Sequence, residues 1–384
     1  MTNVADCYNI ADIRMAAKRR LPKSLFEFID RATEDELAMR NNRAAIERIR
    51  ILPRAPLDVS KRSLSSSIFG KPVDLPMAIA PTGASGLMWY EAELELARAA
   101  KAAGIPYTMA TGSMVPFERV AKEVGGRLWF QLYVWPDRAA TYELVRRVAA
   151  AGAEALVVTV DTPVPPNREY NTRNGFGLPF RPTVANVTDI SMHPRWLLGT
   201  LLKYLIADGM PKMRNHPAEF NNARTRAAIA PRLTLSDTVD LPELKRLRDM
   251  FPGKLLVKGI MHPQDALDVV AAGADGVVVS NHGGRNLDAA MATFDALPGI
   301  AAAIGGKATI IVDSGIRRGL DILKAIALGA HAVQTGRATL WGAAAGGEAG
   351  VTRVLDLLRH ELSTAMANTG VRTIEQIHRG LLAP

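Results

Sequence analysis

The sequence predicts an α/β fold: a closed parallel (β/α)8 barrel with an N-terminal helical extension and a long insertion after the fourth strand. From Leu75 onward, short near-continuous apolar runs alternate with alanine-rich helical stretches, and there are eight such runs. Strands buried on both faces read this way, and eight β/α units favour a closed TIM barrel over an open doubly wound sheet. The insertion follows from spacing. Some ninety residues separate Asp161 from Lys254, where an ordinary β/α unit needs about 30.

The composition is that of one large globular unit, read here as a single domain over 1–384, with 48% apolar and 22% charged residues. The lone cysteine, Cys7, excludes an internal disulfide framework and fits a reducing compartment. The first twenty residues mix acids and bases without the apolar run of a secretory signal. No stretch reaches the about 18 apolar residues of a membrane span. The net charge of +9 is spread without a dense basic block or aromatic platform. No nucleic acid is therefore expected, which leaves an anionic membrane surface or anionic ligands. The expected location is the cytoplasm, extended to the inner face of the cell membrane if the insertion meets lipid.

Each element has its own signal. Residues 1–74 form the extension, with helical apolar spacing in ADIRMAAKRRLPKSLFEFIDRA and ELAMRNNRAAIERIR before the prolines of ILPRAP. The barrel occupies 75–340. Its strands are LPMAIAP (75–81), PYTMATG (106–112), LWFQLYV (128–134), ALVVTVD (155–161), KLLVKGI (254–260), GVVVSNH (276–282), TIIVDSG (309–315) and AVQTGRA (332–338). Several intervening helices close on glycine, as a C-cap requires. The insertion spans about 163–240. It begins loop-like in TPVPPNREYNTRNGFGLPFRPT and continues in HPRWLLGTLLKYLIADGMPKMRNHP, apolar and flanked by Arg195, Lys212 and Arg214. That middle part has two readings: a helix packed on the barrel or on a neighbouring subunit, or a peripheral membrane contact through 195–214 with Trp196 and the bases at the headgroups. SDTVDLPELKRLRDMFPG returns to the barrel, and 341–384 supply C-terminal helices.

A barrel of this kind places its active site at the C-terminal ends of its strands. Polar residues should collect there, and they do: Thr82, Thr111, Gln131, Tyr133, Thr159, Asp161, Lys258, Ser280, His282, Asp313 and Arg337. In GVVVSNHGGRNLD (276–288) a buried strand breaks into a loop with His282 and Arg285 three residues apart. That is a base beside an anion clamp, suited to removing a proton from a substrate that carries a carboxylate. Asp161 is a candidate orienting carboxylate for His282, and Arg168 joins Arg285 for the substrate's own carboxylate. DSGIRRG and TGRA place Gly315, Arg317, Gly336 and Arg337 in the two loops where barrels often hold phosphate. Lys258 could form a Schiff base, pair with a carboxylate or stabilise negative charge on a cofactor. No metal is expected, because the seven histidines lack ligand spacing in a cationic mouth.

SNHGGRNLD, DSGIRRG, FQLYV, VTVDTPVPPNRE and the opening LPKSLFEF resemble the FMN-dependent L-2-hydroxy-acid dehydrogenases and oxidases, a likeness that covers nearly the whole chain in order. This family includes mandelate dehydrogenase, L-lactate dehydrogenase and glycolate oxidase. The resemblance implies FMN as cofactor and His282 as the base, with Asp161 supporting the imidazolium. Arg168, Arg285 and Tyr133 would bind the 2-hydroxy acid, and Lys258 would face the flavin where reduction places negative charge. Pro81, Thr82, Gly83, Gln131, Thr159 and Ser280 would contact the ring, Asp313 the ribityl chain, and Gly315, Arg317, Gly336 and Arg337 the phosphate. Two positions depart from the family: Phe28 stands for a substrate-binding tyrosine and Ala110 for a serine near the flavin. Losing a hydroxyl that bonds a charged group costs about 1.5–3 kcal/mol.

The expected activity is oxidation of a lactate- or mandelate-like (S)-2-hydroxy acid to the 2-keto acid, with electrons passed to a quinone or other carrier. The alternatives are an oxidase that makes hydrogen peroxide, a Schiff-base aldolase built on Lys258, and a non-catalytic flavin-binding protein. The resemblance further implies a homo-oligomer, a tetramer.

Overall fold

The computed structural model describes residues 3–176, 183–207, 209–222 and 229–384. Three helices lead the chain: α1 (Ile10–Arg20), α2 (Lys23–Asp30) and α3 (Leu37–Arg48). The stretch ADIRMAAKRRLPKSLFEFIDRA, expected to be helical, is divided between α1 and α2. Pro22 has no amide hydrogen and sits extended as the N-cap of α2, and a residue before proline avoids helical geometry. A short antiparallel hairpin follows, β1 (Ser66–Ile68) and β2 (Lys71–Val73).

Eight parallel strands then close a barrel: β3 (Met77–Ile79), β4 (Tyr107–Ala110), β5 (Leu128–Leu132), β6 (Ala155–Thr159), β7 (Lys254–Ile260), β8 (Gly276–Val279), β9 (Thr309–Val312) and β10 (Ala332–Thr335). The last strand pairs back onto the first, Val333 opposite Met77. The expected (β/α)8 barrel is therefore the observed one, with shorter strands. Most lose their C-terminal residues to the rim, because those polar residues leave the ladder to form the site.

Alternation divides each strand between two cores. Met77, Phe130, Leu156, Val158, Val257 and Val279 face outward into the layer shared with the helices. Ala78, Trp129, Val157, Leu256, Val278 and Ile311 fill the interior, joined by Ile68 and Val73 of the hairpin, which packs beneath them. That end is plugged. The opposite end is where the interior turns polar.

The C-terminal helix starts at Arg337, directly after β10, rather than at 341, and runs to Thr369 with its helical geometry interrupted at Gly346 and Gly347. Two 3-10 turns, Ile374–Gln376 and Arg379–Leu381, follow. The insertion is helical in pieces, Val184–Ser191 and then Pro194–Ala207 through a π-helical turn at Leu197–Leu201. Parts of both expected stretches, 177–182 and 208, lie outside the described residues, as do 223–228 further along the insertion. Trp196 does not face outward: it is buried, and its indole N–H donates to the Leu87 carbonyl at 2.7 Å. Headgroup anchoring by this residue is thereby corrected. The side chains exposed on the same helical run are aliphatic: Leu198, Leu202, Leu205 and Ile206.

Candidate active site

The inward parity of each strand carries the chain from apolar floor to polar rim. Trp129 is followed at two-residue steps by Gln131 and Tyr133, Val157 by Thr159 and Asp161, Leu256 by Lys258, Val278 by Ser280 and His282, and Ile311 by Asp313. Above the floor lies a cavity of about 480 Å³. Its lining includes Phe28, Pro81, Thr82, Gly83, Ala110, Gln131, Tyr133, Thr159, Arg168, Lys258, His282, Arg285, Asp313, Gly315, Arg317, Gly336 and Arg337. Two expected site residues, Asp161 and Ser280, lie outside this lining and support residues that belong to it.

Asp161 supports the histidine. Its Oδ1 is 2.9 Å from His282 Nδ1, which fixes the proton on Nδ1 and leaves the Nε2 lone pair toward Tyr133, whose hydroxyl lies 3.5 Å away. Burial works against the Asp161 carboxylate, but His282 and Lys258 overcome it and hold its pKa at about 2. Burial pushes the His282 imidazole below its ordinary value, although Asp161 pulls the other way. The result at neutral pH is a neutral imidazole beside a permanent anion. Two residues complete the arrangement. Thr162 Oγ1 donates to Asp161 Oδ1 at 3.0 Å, and Asn286 Nδ2 donates to the Asp161 carbonyl at 2.8 Å and to Thr162 Oγ1 at 2.7 Å.

Backbone geometry explains two glycines here. Gly259, with φ +106°, sits where a Cβ would come within 2.5 Å of the Asp161 Cβ, so the neighbouring strand can approach the carboxylate only without a side chain. Gly284, with φ +74°, lets the NHGG turn lie against α3, where a Cβ would meet the Met39 nitrogen at 2.5 Å. The same turn is pinned on α3 by the paired amides of Asn281 and Asn42, at 2.9 Å in both directions. Asp288 accepts from the Asp35 and Ala38 amides, each at 3.1 Å, so its charge sits at the N-terminus of that helix.

Ser280 supports the lysine. Lys258 Nζ donates to Ser280 Oγ at 2.7 Å and lies 3.3 Å from Asp313 Oδ2. Burial alone would lower the Lys258 pKa, yet the charges of Asp313 and Asp161 raise it, so the ammonium persists. Ser314 ties this group to the histidine loop by donating to Asp313 Oδ1 at 2.7 Å and accepting from the Gly283 amide at 2.9 Å.

The remaining rim is cationic. Arg168 and Arg317 are each lowered to about 10 and Arg337 to about 9, chiefly by burial and then by neighbouring arginines. Guanidiniums crowded in this way are relieved by an anion. Arg285 Nη1 and Arg337 Nη2 both donate to the Arg31 carbonyl, at 2.7 and 3.1 Å, which lies at the negative C-terminal end of α2. One turn earlier, Phe28 places its ring 5.6 Å from the Arg285 guanidinium and 4.7 Å from the ring of Phe176. Arg168 reaches the Arg285 carbonyl at 3.3 Å.

Gln131 Nε2, Thr159 Oγ1 and Arg337 Nε are buried without a protein partner. All three residues line the cavity, so polar atoms are turned toward a polar occupant. The donor set suits a planar heteroaromatic ring over Gln131, Thr159 and Lys258 and a phosphate between Arg317 and Arg337. Among the described residues no group of three or more His, Cys, Asp or Glu is placed to hold a metal.

Thr162, Asn286, Ser314, Trp135 and His216 belong to the site and were not singled out from the sequence. The first three directly follow Asp161, Arg285 and Asp313, and Trp135 continues the Gln131–Tyr133 parity. His216 comes from the insertion, and no local pattern places it at the rim.

Comparison with known proteins agrees with this geometry. The model of the family described as FMN-dependent dehydrogenase matches residues 17–384. The chain is 39% identical to (S)-mandelate dehydrogenase of Pseudomonas putida, over 96% of this chain and 92% of that one. It is 41% identical to L-lactate oxidase of a Nostoc species over 100% of both chains. The crystal structure of the monotopic membrane protein (S)-mandelate dehydrogenase superposes with a TM-score of 0.93 at 38% identity, covering 98% of this chain and 99% of that one. With a barrel rim that fits the cofactor and a match over nearly its whole length, the chain belongs to the FMN-dependent 2-hydroxy-acid dehydrogenase and oxidase family.

Proposed function

We propose that the protein oxidises an (S)-2-hydroxy acid to the 2-keto acid and passes the electrons to a membrane quinone. The single observation that carries this reading is the Asp161–His282 pair opening onto a cavity that also holds Arg168 and Arg285. The two arginines bind the substrate carboxylate, which sets the hydroxyl-bearing carbon toward His282. His282 Nε2 then takes the substrate's proton, and Asp161 stabilises the imidazolium that results. Tyr133 donates to the substrate oxygen. Bound FMN would supply the two-electron acceptor, taking up the electron pair together with the second hydrogen that leaves the alcohol. Pro81, Thr82, Gly83, Ala110, Gln131 and Thr159 would hold its ring, Asp313 its ribityl chain, and Gly315, Arg317, Gly336 and Arg337 its phosphate. Lys258 supplies a fixed positive charge for the reduced ring. Ser280 acts behind it, through its hydrogen bond to Lys258 Nζ.

The exposed aliphatic side chains Leu198, Leu202, Leu205 and Ile206, with Met192 and Met210 nearby in the chain and exposed Arg195 and Lys203 among them, support peripheral membrane contact by the insertion at the inner face. No described helix is long and apolar enough to cross a membrane. The likeness to a monotopic mandelate dehydrogenase favours the same reading, and a homotetramer belongs to it. The likeness to a lactate oxidase favours oxygen as the acceptor instead.

The test is the visible spectrum of the purified protein before and after anaerobic addition of (S)-lactate, (S)-mandelate, glycolate or a long-chain 2-hydroxy acid. Bleaching of a flavin band by one of them is expected. No bleaching by any of them contradicts the reading. Peroxide formation during aerobic turnover would replace the quinone with oxygen.

A further inference from the structure

His282 stands on a backbone that residues with side chains rarely adopt. Its φ is +56°, followed by +69° at Gly283 and +74° at Gly284, and in the neighbouring loop Ser314 has φ +73°. A left-handed conformation in a residue other than glycine persists only where its surroundings over-determine it. The strand ladder does not do this, because β8 ends at Val279 and β9 at Val312. Ser314 joins the two loops by accepting from the Gly283 amide at 2.9 Å. What holds both of them from outside is α3, through two residues adjacent in sequence.

The first is Asn42, which is buried. Its carboxamide meets that of Asn281, directly before the histidine, at 2.9 Å in both directions. Asn281 Oδ1 also accepts from the Gly284 amide at 3.2 Å, and Asn281 Nδ2 also donates to the Met291 carbonyl at 3.0 Å. Asn42 Oδ1 accepts in addition from the Thr293 amide at 3.3 Å. The left-handed turn is thus closed around one side-chain pair. The second residue is Arg43, whose Nη1 donates to the Gly315 carbonyl at 2.6 Å and to Asp321 Oδ2 at 2.7 Å. The same carboxylate oxygen accepts from the Arg317 and Arg318 amides at 2.8 and 3.0 Å. One guanidinium therefore fixes the DSGIRRG loop by a carbonyl and, through Asp321, by two amides. Gly315, with φ +106°, lies so close to α3 that a Cβ would come within 3.1 Å of Ile46 Cδ1.

We propose that α3 is a clip with two separable outputs: Asn42 positions His282 through Asn281, and Arg43 shapes the phosphate loop through Gly315 and Asp321. Neither side chain lines the cavity, so both are positioning residues. The first output rests on the proposed role of His282 as the base in 2-hydroxy-acid oxidation. The second needs only the cofactor.

Two measurements separate the outputs. In anaerobic flavin reduction of the FMN-loaded protein, Asn42→Ala should lower the rate at saturating 2-hydroxy acid about tenfold to a hundredfold, the cost of misplacing a reacting group by about 1 Å. Half-saturation by substrate and retention of FMN should stay at wild-type values. The Asn42→Ala/Asn281→Ala double variant should lose no more than Asn281→Ala alone, because the two amides act as one pair. If alanine prevents folding, Asn42→Leu/Asn281→Leu keeps the volume, leaves neither amide without its partner, and should show the same loss of rate. In flavin titrations of the full chain, Arg43→Met should narrow the preference for FMN over riboflavin, which lacks the phosphate, about threefold to tenfold, the worth of one hydrogen bond. Variants at Asn42 that reduce flavin at the wild-type rate, or that lose FMN and rate together as a general loosening would, overturn the first output. An FMN-to-riboflavin preference unmoved in Arg43→Met overturns the second. If no 2-hydroxy acid bleaches the wild-type flavin, the reaction is refuted, while the titration, which uses no substrate, still decides the clip.

Discussion

The two halves of the cavity are built differently. The half proposed for the cofactor consists of strand ends: Gln131, Thr159, Lys258 and Asp313 sit one alternation step above the apolar floor, on a hydrogen-bonded barrel. The half proposed for the substrate is assembled from distant segments, with Phe28 from α2, Arg168 from the start of the insertion, His216 and Leu233 from further along it, and Arg285 from the loop after β8. One is a property of the fold and the other of what is laid over it. On the proposed reading, the common chemistry belongs to the rigid half, and the choice of substrate to the half that can vary without disturbing the barrel.

His282 stands where the halves meet, and its variant should have the largest effect. His282→Asn should keep the flavin band and lose about 10²–10⁴ in the rate of anaerobic flavin reduction, the usual worth of a general base. A variant that reduces the flavin at the wild-type rate would remove the base from the mechanism. Its titration sharpens the point. Because burial lowers the His282 pKa, kcat/KM should fall only as the pH drops below the ordinary histidine value of about 6.5, and Asp161 at about 2 stays ionised throughout. An acid limb above that value would contradict the electrostatics described.

Within the cofactor half, Lys258→Met should slow flavin reduction about 10²–10³-fold, as removal of one preorganised charge does elsewhere. It should also weaken FMN retention, read by flavin fluorescence in the filtrate. Within the substrate half, Arg168→Met should raise KM about 10- to 100-fold through loss of a charge-assisted hydrogen bond. Retention of FMN in that variant is the sign that the halves separate. Replacing Leu205 and Ile206 together by glutamate removes two side chains worth about 1.5–3 kcal/mol each if buried in lipid. The protein should then move from the membrane pellet to the supernatant, and an unchanged distribution argues against membrane contact there. The smallest effect is expected for Phe28→Tyr, a gain of about tenfold in affinity for (S)-lactate, the lower end of what a hydroxyl bonded to a charged group contributes. Poorer binding would mean that Phe28 contacts an apolar substrate group.

The same division explains what could be read in the sequence. The barrel was legible because buried parallel strands leave eight unmistakable apolar runs, and its rim was legible because each run ends in a polar residue of inward parity. Ser280 shows the limit of that reading: parity places it inward, but only the packed structure reveals that it faces Lys258 rather than the cavity. Trp196 shows another. A tryptophan in an apolar helix beside basic residues reads as a headgroup anchor until the Leu87 carbonyl is seen to take its N–H. His216 carried no signal, since its position depends on Asn215 docking against a loop a hundred residues earlier in the chain. The break at Pro22 was present in the sequence, but the helical spacing continues across it and masks the boundary.

The most direct test of the central claim is anaerobic stopped-flow reduction of the FMN-loaded protein by (S)-mandelate and by (S)-mandelate deuterated at C2. The flavin band should bleach, deuteration should slow the bleaching severalfold, and His282→Asn should slow it about 10²–10⁴-fold. Bleaching that is indifferent both to the isotope and to the loss of His282 would contradict the central claim.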